Sequence, residues 1–178
     1  LCLSLAQHPE ILAKAREEVR QIAPDGCLTP ENLKQMTYLE MVLKEVLRIV
    51  PPVGGGFRKV IKPCEFEGYS IPEGWAVLYQ IAQTHEDNSI YSQPEQFDPE
   101  RFAPERAEDK QKAFSYLPFG GGMRECLGKA FALLVMKVFA AQLVRNYTWE
   151  LLPNQNLSLI RVPTPHPRDG LQVNFRRV

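Results

Sequence analysis

FGGGMRECLG, running from Phe119 to Gly128, is the stretch on which the reading of this chain turns. Its three successive glycines, Gly120 to Gly122, permit positive φ and close approach of backbone to a bulky partner, and their entropic cost argues against filler. Something flat or large is expected against that backbone. The phosphate-loop patterns fail on counting. A Walker loop needs glycine five positions before the Gly128-Lys129 pair and Ser or Thr after the lysine, where Met123 and Ala130 stand. A dinucleotide fingerprint starting at Gly120 needs glycine at 125, where Glu125 stands.

Cys126 lies just before an apolar segment of helical character, where free N–H groups and aligned peptide dipoles favour an anion. A thiolate is such an anion, with a free pKa of about 8.5 that a helix N-terminus or a metal lowers. Most cysteines are simply small core hydrophobes, and that reading stays open. A nucleophile would need a base, but His85 and His166 are remote in sequence, so a cysteine hydrolase ranks low. Structural zinc would need clustered Cys and His, which are absent. A single-thiolate ligand to a metal whose other positions come from a cofactor remains, and that describes haem.

Upstream, Ile11, Leu12, Ala15, Val19 and Ile22 recur at helical spacing. Thr29-Pro30 starts a short helix, and Thr37 with Glu40 three residues on predicts a capping-box start for another. That helix carries Leu39, Val42, Leu43, Val46 and Leu47 on one stripe and must end before Pro51-Pro52. The runs FRKVI, EFEGYSI and WAVLYQ read as a small antiparallel sheet, and residues 84–115, with Pro94, Pro99 and Pro104, as an irregular ordered connection. Residues 127–146 read as a helix apolar over most of its circumference, hence buried. YTWELL, LSLIRV and LQVNF are strand-like.

The 178 residues carry 21 Lys plus Arg against 21 Asp plus Glu, which argues against a nucleic-acid arm and leaves nucleic acid out as a partner. Hydrophobic residues at 44% and charged residues at 24% predict a packed core rather than disorder. Four cysteines without a CxxC pair suggest reduced thiols in a cytosolic setting. No apolar run is long enough to span a bilayer. The sequence assigns no location; a bacterial source would imply the cytoplasm. The opening at Leu1 reads as the end of a helix already under way, so the chain is expected to be a fragment.

Phe119, Gly122, Arg124, Cys126 and Gly128 stand at the FxxGxRxCxG spacing, and the segment resembles the haem-binding loop of cytochrome P450 enzymes. Glu45 and Arg48 match the family's ExxR pair, and Pro99-Glu100-Arg101-Phe102 its PERF segment, in the expected order. The resemblance covers residues 1–178 and implies a mainly α fold with small antiparallel β-sheets, the C-terminal haem-binding part of that fold, without the distal helix and its oxygen-activation motif. PPVGGGFR, GYSIPEGW and Thr84-His85 are similar to the retinoic-acid hydroxylase branch and its cyanobacterial relatives.

By this resemblance the cofactor is haem b and Cys126 ligates its iron. Pro118, Phe119, Gly122, Gly128 and Ala132 would lie against the ring, with Phe119 packing near the sulfur, while Arg58 and Arg124 would bind propionates. A solvated surface arginine is the plain alternative for Arg124. Glu45, Arg48 and Arg101 would form a buried structural cluster. Val53, Gly54, Gly55 and Gly56 would line the substrate pocket, the glycines leaving room above the ring, unless they form only a loop entering a strand. His85 would cap a turn or reach a propionate, the turn being favoured. The implied reaction hydroxylates a lipophilic, retinoid-like molecule with dioxygen and electrons from a redox partner such as a ferredoxin or a flavoprotein reductase. Lys110, Lys112, Arg124 and Lys129 hint at its docking surface. The alternatives are a truncated, non-catalytic piece unable to hold haem, and a member that isomerises or dehydrates peroxides.

Overall fold

Helix α2 (Pro9–Ile22), α4 (Thr37–Ile49) and α6 (Lys129–Asn146) meet along their apolar faces and form the core, with the short α1 (Cys2–Gln7) and α3 (Pro30–Gln35) at its margin. The computed structural model describes residues 1–161 and 164–178. Ile11, Leu12, Ala15 and Val19 of α2 and Leu39, Val42 and Leu43 of α4 are buried together, as their 3.6-residue spacing requires. Against them pack Ala140, Ala141, Leu143 and Val144 from the second half of α6.

Among the described residues the sheets are four separate antiparallel pairs, which makes the fold mainly α with small antiparallel sheets, as expected. β1 (Gly55–Lys59) pairs with β4 (Ala76–Gln80), and between them β2 (Cys64–Phe66) and β3 (Tyr69–Ile71) form a hairpin. Its two turn residues, Glu67 at φ 49° and Gly68 at φ 81°, have the left-handed conformations of a tight hairpin turn. A five-residue helix, α5 (Ile81–His85), follows β4 directly. Beyond α6, β5 (Tyr147–Leu151) pairs with β8 (Val173–Arg177), and β6 (Leu159–Ile160) with β7 (His166–Pro167). The strand expected over LSLIRV is thus reduced to two residues, and its Val162 lies outside the described residues.

Two expectations are corrected. Thr37 and Glu40 form no capping box: the Glu18 carboxylate of α2 accepts hydrogen bonds from the Tyr38 and Leu39 amides at 2.7 and 2.8 Å. The free N–H groups of the first turn are satisfied by a neighbouring helix, a tertiary contact that local spacing does not encode. Thr29, by contrast, caps α3 by accepting from the Asn32 amide at 3.2 Å. The second correction concerns α6, which is buried only in its second half. Phe131, Leu134, Val135 and Phe139 are exposed and share one helical face, while the C-terminal carbonyls of α6 are tied to α2 by Arg16 and Arg20.

Among the described residues no helix is long and apolar enough to cross a membrane. The expected irregular connection begins only after α5 has taken up Thr84 and His85: residues 86–115 are irregular apart from short 3-10 turns at Pro99–Phe102 and Glu108–Lys110. Side-chain charges hold it to α4.

Candidate functional site

Cys126 is exposed and sits at the end of a loop that opens into α6. Its amide donates to the Phe119 carbonyl at 2.9 Å, closing the intervening residues into one tight turn. Gly120 and Gly122 take φ of +72° and +67°, so this turn needs glycine at both positions. A methyl group added at Gly122 would meet nothing within 4 Å, which leaves that stretch of backbone bare. Pro118 pairs across the bend with Gly120. The loop's outer surface, with Met123, Arg124 and Leu127, is open, and next to it lies the exposed Phe131, Leu134 and Val135 face of α6. Ala132 is half-buried one turn into that helix.

Phe119 also borders a separate cavity. Its ring lines a cleft of about 550 Å³ between α3, α4 and α6, together with Leu33, Leu43, Leu133, Leu134 and Tyr116. Cys126 is not in that lining.

Beneath this region Glu45, Arg48 and Arg101 come together out of reach of water. The Glu45 carboxylate accepts from Arg48 Nε at 2.7 Å, from Arg101 Nε at 3.0 Å and from the Asp98 amide at 3.0 Å. Arg48 Nη1 and Nη2 reach the carbonyls of His85 and Pro94, both at 2.7 Å, so one guanidinium pins the end of α5 and a point of the irregular segment to α4. Sequence reading missed that the cluster is larger. Arg101 Nη1 also donates to Glu108 at 2.6 Å, and Glu108 accepts from Arg106 at 2.7 Å. Burial pushes the Glu108 carboxyl up, but hydrogen bonds from Arg106, Arg101 and Ser92 outweigh this and hold it below the ordinary value. Two carboxylates thus balance the two buried arginines, the condition under which buried charge is tolerated.

His85 neither caps a turn nor faces an open site. It is fully buried, and its Nδ1 lies 3.1 Å from the Arg48 carbonyl while its Nε2 accepts from the Leu117 amide at 2.8 Å. Only the neutral ring protonated on Nδ1 can satisfy both partners. The imidazole therefore bridges the end of α4 to the residue just before Pro118 and Phe119, stacked on Tyr116. Burial pulls its pKa from the ordinary 6.5 to about 4; the hydrogen bond to the Arg48 carbonyl opposes this and the Arg48 charge adds to it. Between those values the unfolded chain binds the extra proton, so His85 contributes stability above pH 6.5 that is lost as the pH falls toward 4. His85→Gln, which keeps an acceptor near Nε2 without a titrating ring, is expected to flatten that part of a denaturation-midpoint profile and leave the acid slope due to Glu108. An unchanged profile would refute the assignment.

The three glycines after Pro52 do not all make room. A methyl group at Gly56 would lie 2.6 Å from the Tyr79 hydroxyl oxygen, and one at Gly55 would lie 2.4 Å from the Tyr79 carbonyl. Only Gly54 faces open space, with Val53 exposed beside it. The pairing of β1 with β4 places Tyr79 opposite Gly56, and the ring fills the space that glycine leaves, as aromatic residues do across a sheet. Arg58 is exposed; its Nη2 donates to the Tyr79 hydroxyl at 3.3 Å and its guanidinium lies 4.9 Å from the ring centroid. Tyr79 is the other residue missed by sequence reading. The signal was an aromatic facing a glycine, legible only once the strand register is fixed.

The donor set fits one kind of metal group. Among the described residues no three His, Cys, Asp or Glu side chains cluster to hold an ion, so an ion at Cys126 must bring its remaining ligands with it. An exposed sulfur, bare glycine backbone, an apolar shelf on α6 and exposed Arg58 and Arg124 suit a flat apolar macrocycle with anionic edges.

The cytochrome P450 family model matches residues 2–171. The putative cytochrome P450 120 of Synechocystis sp. is 52% identical over 174 residues, covering 98% of this chain and 39% of that protein. Cytochrome P450 26B1 of Danio rerio is 43% identical over 182 residues, and that of Homo sapiens 41% over 183, each covering 98% of this chain and 36% of the relative. The solved structure of retinoic acid-bound cyanobacterial CYP120A1 superposes with a TM-score of 0.95 at 50% identity, over 99% of this chain and 41% of that one. The chain therefore spans about two-fifths of the length of these relatives. Family members bind haem b, the group the donor set fits. With the haem-loop, ExxR and PERF motifs all in place and relatives in the branch that PPVGGGFR points to, this chain belongs to the cytochrome P450 family.

Proposed function

We propose that these 178 residues form the haem-binding C-terminal portion of a longer haem-thiolate monooxygenase that hydroxylates a lipophilic, retinoid-like molecule, with electrons from a redox partner such as a ferredoxin or a flavoprotein reductase. The observation that carries this reading is the exposed Cys126 thiol on a glycine-bared loop, next to an unpaired apolar helix face. A thiolate-ligated haem supplies dioxygen activation, because the sulfur pushes electron density toward cleavage of the oxygen–oxygen bond.

The chain's own residues would bind and orient. Cys126 offers the sulfur, exposed just before α6. Gly122 and Gly128 keep side chains away from the ring, and Ala132 adds only a methyl group. Arg58 and Arg124 are cations suited to carboxylates. Glu45, Arg48, Arg101 and His85 hold the segment that carries the loop. Gly54 and Val53, open to solvent here, would face the substrate. By itself the chain is expected to hold haem poorly and to be inactive, since its residues would cover one face of the ring and leave the other open to water.

The retinoic acid in the solved relative supports a retinoid-like substrate. The test is a spectral titration of the full-length polypeptide with all-trans retinoic acid and with saturated fatty acids of similar length. A saturable shift of the haem spectrum with the retinoid is expected. A shift with the fatty acids and none with the retinoid would overturn the substrate class.

A further inference from the structure

Tyr79 accounts for three observations that the haem-loop motif leaves unexplained. Its ring occupies the space left by Gly56. Its hydroxyl accepts from Arg58 Nη2 at 3.3 Å while the guanidinium rests over the ring face. The same oxygen lies 3.5 Å from where a methyl group on Gly120 would project, so the phenol lies beside the loop that carries Cys126. An exposed arginine side chain ordinarily samples many rotamers. Here one face of the guanidinium rests on an aromatic ring, one N–H is held by the hydroxyl, and Nη1 donates to the Phe57 carbonyl at 2.9 Å. Among the described residues the hydroxyl hydrogen itself is donated to no protein acceptor. Phenol and guanidinium therefore leave donors free side by side.

We infer that Tyr79 is a positioning residue: it holds the Arg58 fork at the edge of the haem loop in the orientation that receives a ring carboxylate. This rests on the proposed role of Arg58. The ordering matters because a pre-arranged donor loses less entropy on binding than a mobile one. Gly56 is then required by Tyr79 rather than by substrate, since any side chain there would displace the ring.

The test measures transfer of haem from the full-length holoprotein to an excess of apo-globin, for wild type, Tyr79→Phe, Tyr79→Leu, Arg58→Ala and the two double variants. Each is loaded either with haem b or with its propionate dimethyl ester. Phenylalanine keeps the ring over Gly56 and removes only the hydroxyl, so the fold is retained; Tyr79→Leu removes the stacked face as well. With haem b, Tyr79→Phe is expected to speed transfer about threefold, the size of one modest hydrogen bond. Tyr79→Leu should speed it further, by about tenfold in all as the cation–π contact is also lost. Both effects should disappear in the Arg58→Ala background and with the diester, which a merely structural tyrosine would not show. An equal acceleration by Tyr79→Phe with or without Arg58, or with the diester, would overturn the inference while leaving Arg58 in its proposed role. If Arg58→Ala alone changes nothing with haem b, the carboxylate role of Arg58 fails and the inference falls with it.

Discussion

Cys126→Ser in the full-length polypeptide is expected to abolish the thiolate-type band of the reduced, carbon monoxide-bound protein. The oxygen of serine is a harder, weaker donor than a thiolate and is not readily deprotonated at neutral pH, so it does not reproduce the thiolate's effect on iron. The change should be specific to the ligand. Cys126 is exposed, and the link that shapes its loop runs from its amide to the Phe119 carbonyl, which the substitution leaves intact. In the haem-free chain an exposed substitution of this kind usually alters stability by about 0.5 kcal/mol or less. Cys27 and Cys64 are also exposed, and their serine variants should keep the full band. A thiolate-type band that survives at Cys126→Ser, or vanishes at Cys64→Ser, would place the ligand elsewhere.

Glu45→Ala has the largest expected effect on stability. Glu45 and Arg48 are fully buried and Arg101 nearly so, so removing the carboxylate leaves two guanidinium groups facing each other with only Glu108 to offset them. Breaking one partner of a buried pair costs about 3–5 kcal/mol. That is a large share of the roughly 5–15 kcal/mol by which a domain is stable. The arginines would seek water, releasing the carbonyls of His85, Pro94 and Gln96 that Arg48 now holds. The measurement is a denaturant midpoint with haem loaded, together with the haem content of the purified protein. Glu45→Ala should lower both, whereas Glu125→Ala, which breaks the exposed pair with Lys129, should move the midpoint only slightly, by the equivalent of under about 1 kcal/mol of stability. Equal effects at the two sites would mean that the buried cluster has no special weight.

The exposed half of α6 illustrates a limit of pattern reading. Its apolar circumference predicts burial, yet Phe131, Leu134, Val135 and Phe139 face outward. Periodicity reports which residues avoid water, not which partner covers them: protein, cofactor or a further part of the polypeptide. The same limit applies to His85, whose buried bridge between Arg48 and Leu117 joins residues far apart in the chain. Thr37 and Glu40 fit a local capping box, but Glu18 from α2 satisfies the same amides.

What the amino-acid order determined by itself was the set of local patterns: the amphipathic spacing of α2 and α4, and the haem-loop, ExxR and PERF motifs that mark the family. These survive because each depends on residues within a few positions of one another, where backbone sterics and side-chain period act directly. Only the tertiary structure decided that Glu108 completes the charge balance around Arg101, that His85 fastens α4 to the start of the haem loop, and that Tyr79 fills Gly56 and holds Arg58. Those contacts depend on strand register and on distant segments meeting in a low-dielectric interior, where an unpaired charge or an unsatisfied amide is costly enough to fix a single arrangement.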